Sequence, residues 1–163
     1  MGRYKYPLFF YWQAIPRCVN ISRFDIIINS ISLLSRESSM KSKEFATFRK
    51  QLNKTQKQMA QLLGVSIKAV HSYEQGWRTV PPHVERQMFF LMARKRGVIK
   101  GQKPCWTVKK CPAKQKKECP AWEFQAGKFC WFVNGTICCG TAHEKWKEKM
   151  KLCRSCEVMA AIM

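Results

Sequence analysis

Thr55–Gly76 reads T-Q-K-Q-M-A-Q-L-L-G-V-S-I-K-A-V-H-S-Y-E-Q-G, and its spacing decides the fold. Thr55 followed by Gln58 is the pattern of a capping box, in which each residue satisfies an otherwise unpaired N–H of the other at a helix start. Gly64 stops that helix where a left-handed residue lets the chain turn tightly. Ser66 then caps a second helix, Ile67 to Gln75, which ends at Gly76. Two short helices joined this way must pack closely near a right angle. Ala60 stands where they approach, and a larger side chain would push them apart. Leu63, Val65, Val70 and Tyr73 face inward, leaving Gln56, Lys57, Gln61, Lys68 and Ser72 for the outer face.

The pattern continues on both sides. Phe45, Phe48 and Leu52 fall on one face of a helix that opens near Ser42 and breaks at Asn53-Lys54. After Pro81-Pro82, with Pro82 suited to a first helical turn, Val84, Met88, Leu91 and Met92 line a further helix. Arg94-Lys95-Arg96 before Gly97 suit its C-terminus. The expected fold is therefore mainly α: a small helical bundle over 40–97, a linker over 98–103, and an irregular cysteine-rich domain over 104–163. Residues 1–39 are aromatic and apolar without steady periodicity. They read either as an N-terminal extension or as an upstream stretch translated through an early start, with Met40 as the natural one.

The chain has 30 Lys and Arg against 10 Asp and Glu, a net charge of +20. Half of that excess lies in residues 40–100. Such a surface favours a polyanionic partner, because each neutralised phosphate releases condensed counterions. No run approaches the roughly 18 apolar residues that span a bilayer, and the apolar start at Pro7–Trp12 lacks a small-residue cleavage site. The expected location is the cytoplasm, with no membrane partner.

The stretch Leu52–Gly76, with its Tyr73-Glu74-Gln75-Gly76 ending and the following Arg78 and Pro81, closely resembles the phage-repressor-like (XRE-type) helix-turn-helix family over roughly 42–97. The resemblance implies a transcription regulator whose second helix enters the major groove of double-stranded DNA. Ser66, Ile67, Lys68 and Ser72 then occupy the base-reading positions. Lys68 can donate to guanine, and Ile67 can press on a thymine methyl. Gln56 is expected at a phosphate, Lys57 on the same outer face, and Arg78 on the backbone after the recognition helix. Glu74 is expected to make an intramolecular contact, since phosphate repels a carboxylate. Such domains usually act as homodimers on paired half-sites.

Eight of the nine cysteines lie between Cys105 and Cys156. Only Cys153 and Cys156 have the two-residue gap of a zinc knuckle or iron–sulfur loop. Cys105, Cys111, Cys119, Cys130, Cys138, Cys153 and Cys156 are the candidate ligands, for zinc or an iron–sulfur cluster; Cys139 is the least favoured. Trp106 and Trp131 each follow a cysteine, and either shield thiolates from water or simply form the core of a small domain. Thr141 with Glu144 predicts a capped helix from Thr141 to Lys151, with His143 solvated on it. Cys105-Trp106, Cys119-Pro120-Ala121, Cys130-Trp131, Gly135-Thr136-Ile137-Cys138 and Cys153-Arg154-Ser155-Cys156 resemble, over roughly 104–158, a Cys-Trp-rich module of bacterial chemoreceptors and sensory regulators, which implies a bacterial, sensory setting. Catalysis by a cysteine would need a paired base, and His71, His83 and His143 stand near no cysteine in a known pattern; no enzyme is expected. The leading reading is a DNA-binding regulator with a metal or redox sensor. The alternative is a DNA-binding protein with a purely structural zinc or partner-recruiting domain.

Overall fold

The computed structural model describes residues 39–160, 162 and 163. The reading of residues 1–39 therefore lies, Ser39 apart, outside the described residues. The first four helices are α1 (Ser42–Gln51), α2 (Gln56–Leu63), α3 (Ile67–Gln75) and α4 (Pro82–Lys95). The local signals hold where the sequence placed them. Asn53 takes φ 57° and ends the first run. Both hydrogen bonds of the Thr55–Gln58 capping box form. Gly64 (φ 64°) and Gly76 (φ 78°) close α2 and α3 in the left-handed region. Ser66 caps α3, its Oγ accepting from the Ala69 N–H at 3.1 Å.

These helices close on one core. Phe45, Met59, Val70, Val84, Met88 and Phe89 are fully buried, with Ala60 and Leu63 beside them. Phe45 meets Tyr73 edge to face at 5.6 Å, and Phe48 meets Phe89 at 5.9 Å. Burying a side chain of this size contributes roughly 1.5–3 kcal/mol, far more than the propensity of helices only eight to ten residues long.

The rest is built from shorter pieces: α5 (Val98–Gly101), α6 (Cys105–Val108), α7 (Ala113–Lys117), α8 (Pro120–Glu123) and a 3-10 segment at Gly127–Phe132. Strands β1 (Thr136–Cys138) and β2 (Thr141–His143) pair antiparallel, with Thr136 opposite His143 and Cys138 opposite Thr141. Two more helices follow, α9 (Trp146–Cys153) and α10 (Glu157–Ala160). The hairpin corrects one expectation. Thr141–His143 is a strand, α9 starts only at Trp146, and Lys145 at its N-cap makes no side-chain capping hydrogen bond. Pairing with β1 satisfies the backbone that the capping box would have drawn into a helix. Cys139 (φ 55°) and Gly140 (φ 83°) both take the positive φ that a two-residue hairpin loop of the I′ kind requires.

The stretch read as a linker is also structured. Val98–Gly101 is a helical turn, and the Gln102 amide donates to the Val158 carbonyl. The described residues all fall in one compact unit, so no gap in packing separates 40–97 from 104–163. Part of the join is apolar: Phe89 of α4 meets Trp131 edge to face at 6.1 Å, and both are buried.

Candidate nucleic-acid interface and thiol cluster

At the start of α3, Ile67 is 48% exposed, and Lys68 stands exposed beside it. A large apolar residue left in water on a helix otherwise packed by Ala69, Val70 and Tyr73 marks a face without an internal partner. The serines are partly engaged. The Ser66 oxygen caps α3 but keeps its own proton to donate. Ser72 donates to the Lys68 carbonyl at 2.8 Å and retains only acceptor capacity. Lys57 and Arg78 are exposed.

Behind this face, Glu74 ties three elements together, which is the intramolecular role its sequence position suggested. Arg49 of α1 donates to it from Nε (2.5 Å) and Nη2 (3.4 Å), and Gln56 of α2 from Nε2 (2.6 Å). Burial alone would raise the Glu74 carboxyl, but the hydrogen bonds from Arg49 and Gln56 outweigh it and hold it below its ordinary value. Arg49 also reaches the Lys54 carbonyl at 2.7 Å. One amide proton of Gln56 is thus already committed; its second N–H remains to donate to a phosphate, and its carbonyl to accept from a water.

Residues 45–84 match a family model described as helix-turn-helix. This segment is a phage-repressor-like helix-turn-helix domain. It makes the chain a DNA-binding regulator, and double-stranded DNA is the partner such a domain takes. No curated protein and no solved structure matches the chain. Among the described residues, no helix is long and apolar enough to cross a membrane.

In the regulator's second half, Cys105, Cys111, Cys119, Cys130, Cys138, Cys153 and Cys156 are free thiols. These are the seven that the sequence nominated as ligands. They share one neighbourhood, since Cys111 feels the charges of Cys105, Cys138 and Cys119, and Cys153 those of Cys138, Cys156 and Cys105. Cys130 hydrogen-bonds to Cys105, which lowers Cys105 and strongly raises Cys130. Burial pushes Cys153 up to about 12 and also raises Cys138 and Cys111. The Ile137 N–H donates to Cys119 Sγ at 3.3 Å.

Lys149 stands among these sulfurs, 1% exposed, and donates to Thr136 Oγ1. Its charge favours the thiolates of Cys138 and Cys153 and also lowers Cys105. No carboxylate within ion-pair distance of Lys149 occurs among the described residues. A buried amine without a carboxylate favours negative charge on whatever lies beside it, and here that is sulfur. Thiolates are the donors that zinc or an iron–sulfur cluster would take. The arrangement does not close a coordination shell as it stands: among the described residues, no three Cys, His, Asp or Glu side chains are grouped to hold an ion. His143, read as solvated on a helix, is instead half-buried on β2, and its Nε2 is buried without a hydrogen-bond partner.

Sequence reasoning missed the residue that joins the halves. Arg154, between Cys153 and Cys156, donates from Nη1 to Glu44 of α1 (2.9 Å) and from Nη2 to Glu85 of α4 (3.0 Å). Trp146 Nε1 donates to the other Glu85 oxygen at 2.8 Å. Glu85 is 1% exposed, and burial raises its carboxyl although Trp146 and Arg154 pull the other way. The available signal was a glutamate at a core-facing position of α4, next to Val84, which must find a cation.

Proposed function

We propose that the chain is a sequence-specific transcription regulator that binds an operator as a homodimer, and that its thiol-rich half holds a metal or iron–sulfur cluster whose occupancy adjusts DNA binding. The observation that carries the DNA reading is the outward Ile67–Lys68 pair at the start of α3, on a scaffold fixed by Ser66 and Glu74. In this reading Ser66, Ile67, Lys68 and Ser72 face base edges, and Gln56, Lys57 and Arg78 face the phosphates. Lys68→Ala should relax discrimination at one base position, at a cost of about 1–3 kcal/mol for the preferred base, whereas Gln56→Ala should weaken all duplexes alike. Binding of both variants to a duplex selected from a randomised pool, and to a random duplex, tests this. Equal loss on both duplexes from Lys68→Ala would refute the docking.

The sensory part is supported by seven free thiols, of which Cys105, Cys138 and Cys153 lie within reach of the Lys149 charge. When bound, the group would supply a charge and a bond network that change with metal supply or oxidation. Arg154 gives such a change a short route to α1 and α4. Anaerobic purification followed by elemental analysis and absorbance is the test: iron with visible absorbance supports a cluster, and stoichiometric zinc without colour supports a zinc site. A protein free of metal after purification and reconstitution would overturn metal binding. A purely structural zinc role is the second reading, favoured by the burial of Cys119, Cys130 and Cys153 within the apolar core. It predicts that metal removal unfolds the chain without a folded, metal-free state of altered affinity.

A further inference from the structure

We infer that Trp77 is a DNA-contact residue, laid against the sugar–phosphate backbone beside the groove that α3 enters. Its indole is 72% exposed, the most exposed of the large apolar residues described. It is nevertheless held in place. Gly76 turns the chain at positive φ, and the Trp77 and Arg78 N–H groups both donate to the Ser72 carbonyl, at 3.0 and 3.3 Å. The ring meets His71 edge to face at 5.3 Å. His71 lies one helical turn beyond Ile67 and Lys68, so the indole continues the exposed face that those residues begin. Among the described residues its N–H meets no acceptor.

A rigid indole left in water, joined to a recognition helix, suits an occupant with flat apolar edges and acceptor oxygens. Duplex DNA offers both, as deoxyribose C–H surface and phosphate oxygens. The chemistry is that of a backbone clamp: it adds affinity and orientation and reads no base. This inference rests on the docking of α3 proposed above, and the test separates the two.

Full-length wild type, Trp77→Ala, Trp77→Phe and Lys68→Ala would be titrated against the selected duplex and a random duplex of equal length across a salt series. Thermal melts and sedimentation would run in parallel. Trp77→Ala should bind both duplexes about tenfold more weakly. Its slope of log affinity against log salt should be unchanged, because no cation is lost. Trp77→Phe should recover part of the affinity, and melts should match wild type. Wild-type affinity in Trp77→Ala, with Lys68→Ala losing discrimination, would overturn the role of Trp77 and leave the docking intact. If Lys68→Ala kept its discrimination, the docking itself would fail. A change in sedimentation on Trp77→Ala would assign the indole to a second copy and overturn the DNA contact.

Discussion

The helix-turn-helix half and the cysteine-rich half occupy one compact unit but are specified differently. In residues 42–97 each helix announces its own start, face and stop, and the core only has to accept them. In residues 104–163 the helical pieces α6, α7 and α8 have four or five residues and the strands have three. No such piece is stable alone, since nucleation costs more than one turn returns. What holds them is contact between pieces distant in sequence. Trp106 meets Trp122 at 4.9 Å, and Trp131 reaches across to Phe89. Local signals suffice where elements are long; where they are short, packing decides.

Trp131→Ala should give the largest effect. Removing a buried indole costs about 3–5 kcal/mol. Because Trp131 also covers Phe89, the helix-turn-helix signal and the thiol-module signal should fall together in one urea transition. Two separate transitions in the wild type, followed by circular dichroism and by thiol reactivity, would break the picture of a single unit. Arg154→Ala comes next. It leaves the Glu85 carboxylate buried with only Trp146 as partner, a loss of about 2–3 kcal/mol for hydrogen bonds to charged groups. Arg154→Ala with Glu85→Gln should be less destabilised than the sum of the single variants; simple additivity would show that the pair is not coupled.

The smallest effect is one of pH. Glu74 is held below 4.5, so the folded state binds its proton less readily than the unfolded state does. The stability it contributes is full above that ordinary value and is lost as pH falls from there through the lowered value. Stability measured between pH 7 and pH 3 should fall less steeply in Glu74→Gln than in wild type. Glu85 has the opposite sign, because its carboxyl is raised. Its contribution declines as pH rises from 4.5 toward the raised value, so Glu85→Gln should lift stability near neutral pH relative to acid. Parallel profiles for all three proteins would contradict both assignments.

The contrast between the halves also explains what was legible in the sequence. Thr55, Gly64, Ser66, Gly76 and Pro82 each act on their own helix end, and each was readable from its neighbours. The Thr141–Glu144 pattern was just as clear locally, yet Thr141–His143 became a strand because Thr136–Cys138 lay ready to pair with it. Residues 98–103 read as a linker from the glycines, lysines and proline of 97–104, and the docking of this stretch through Gln102 depends on Val158, more than fifty residues away. The seven thiols could be named but not arranged, since spacing says nothing of Lys149 among them. Trp77 was passed over because it belongs to no cap and no core face; only its exposure identifies it.

The coupling of the two halves is the central claim, and one measurement tests it directly. The affinity of the full-length chain for the selected duplex would be determined before and after metal loading of the thiols, in wild type and in Arg154→Ala. The expected result is a change in wild-type affinity of about tenfold, a coupling near 1.4 kcal/mol, that is largely lost in Arg154→Ala. An affinity in the wild type that does not respond to metal loading, or a response that Arg154→Ala retains in full, would contradict it.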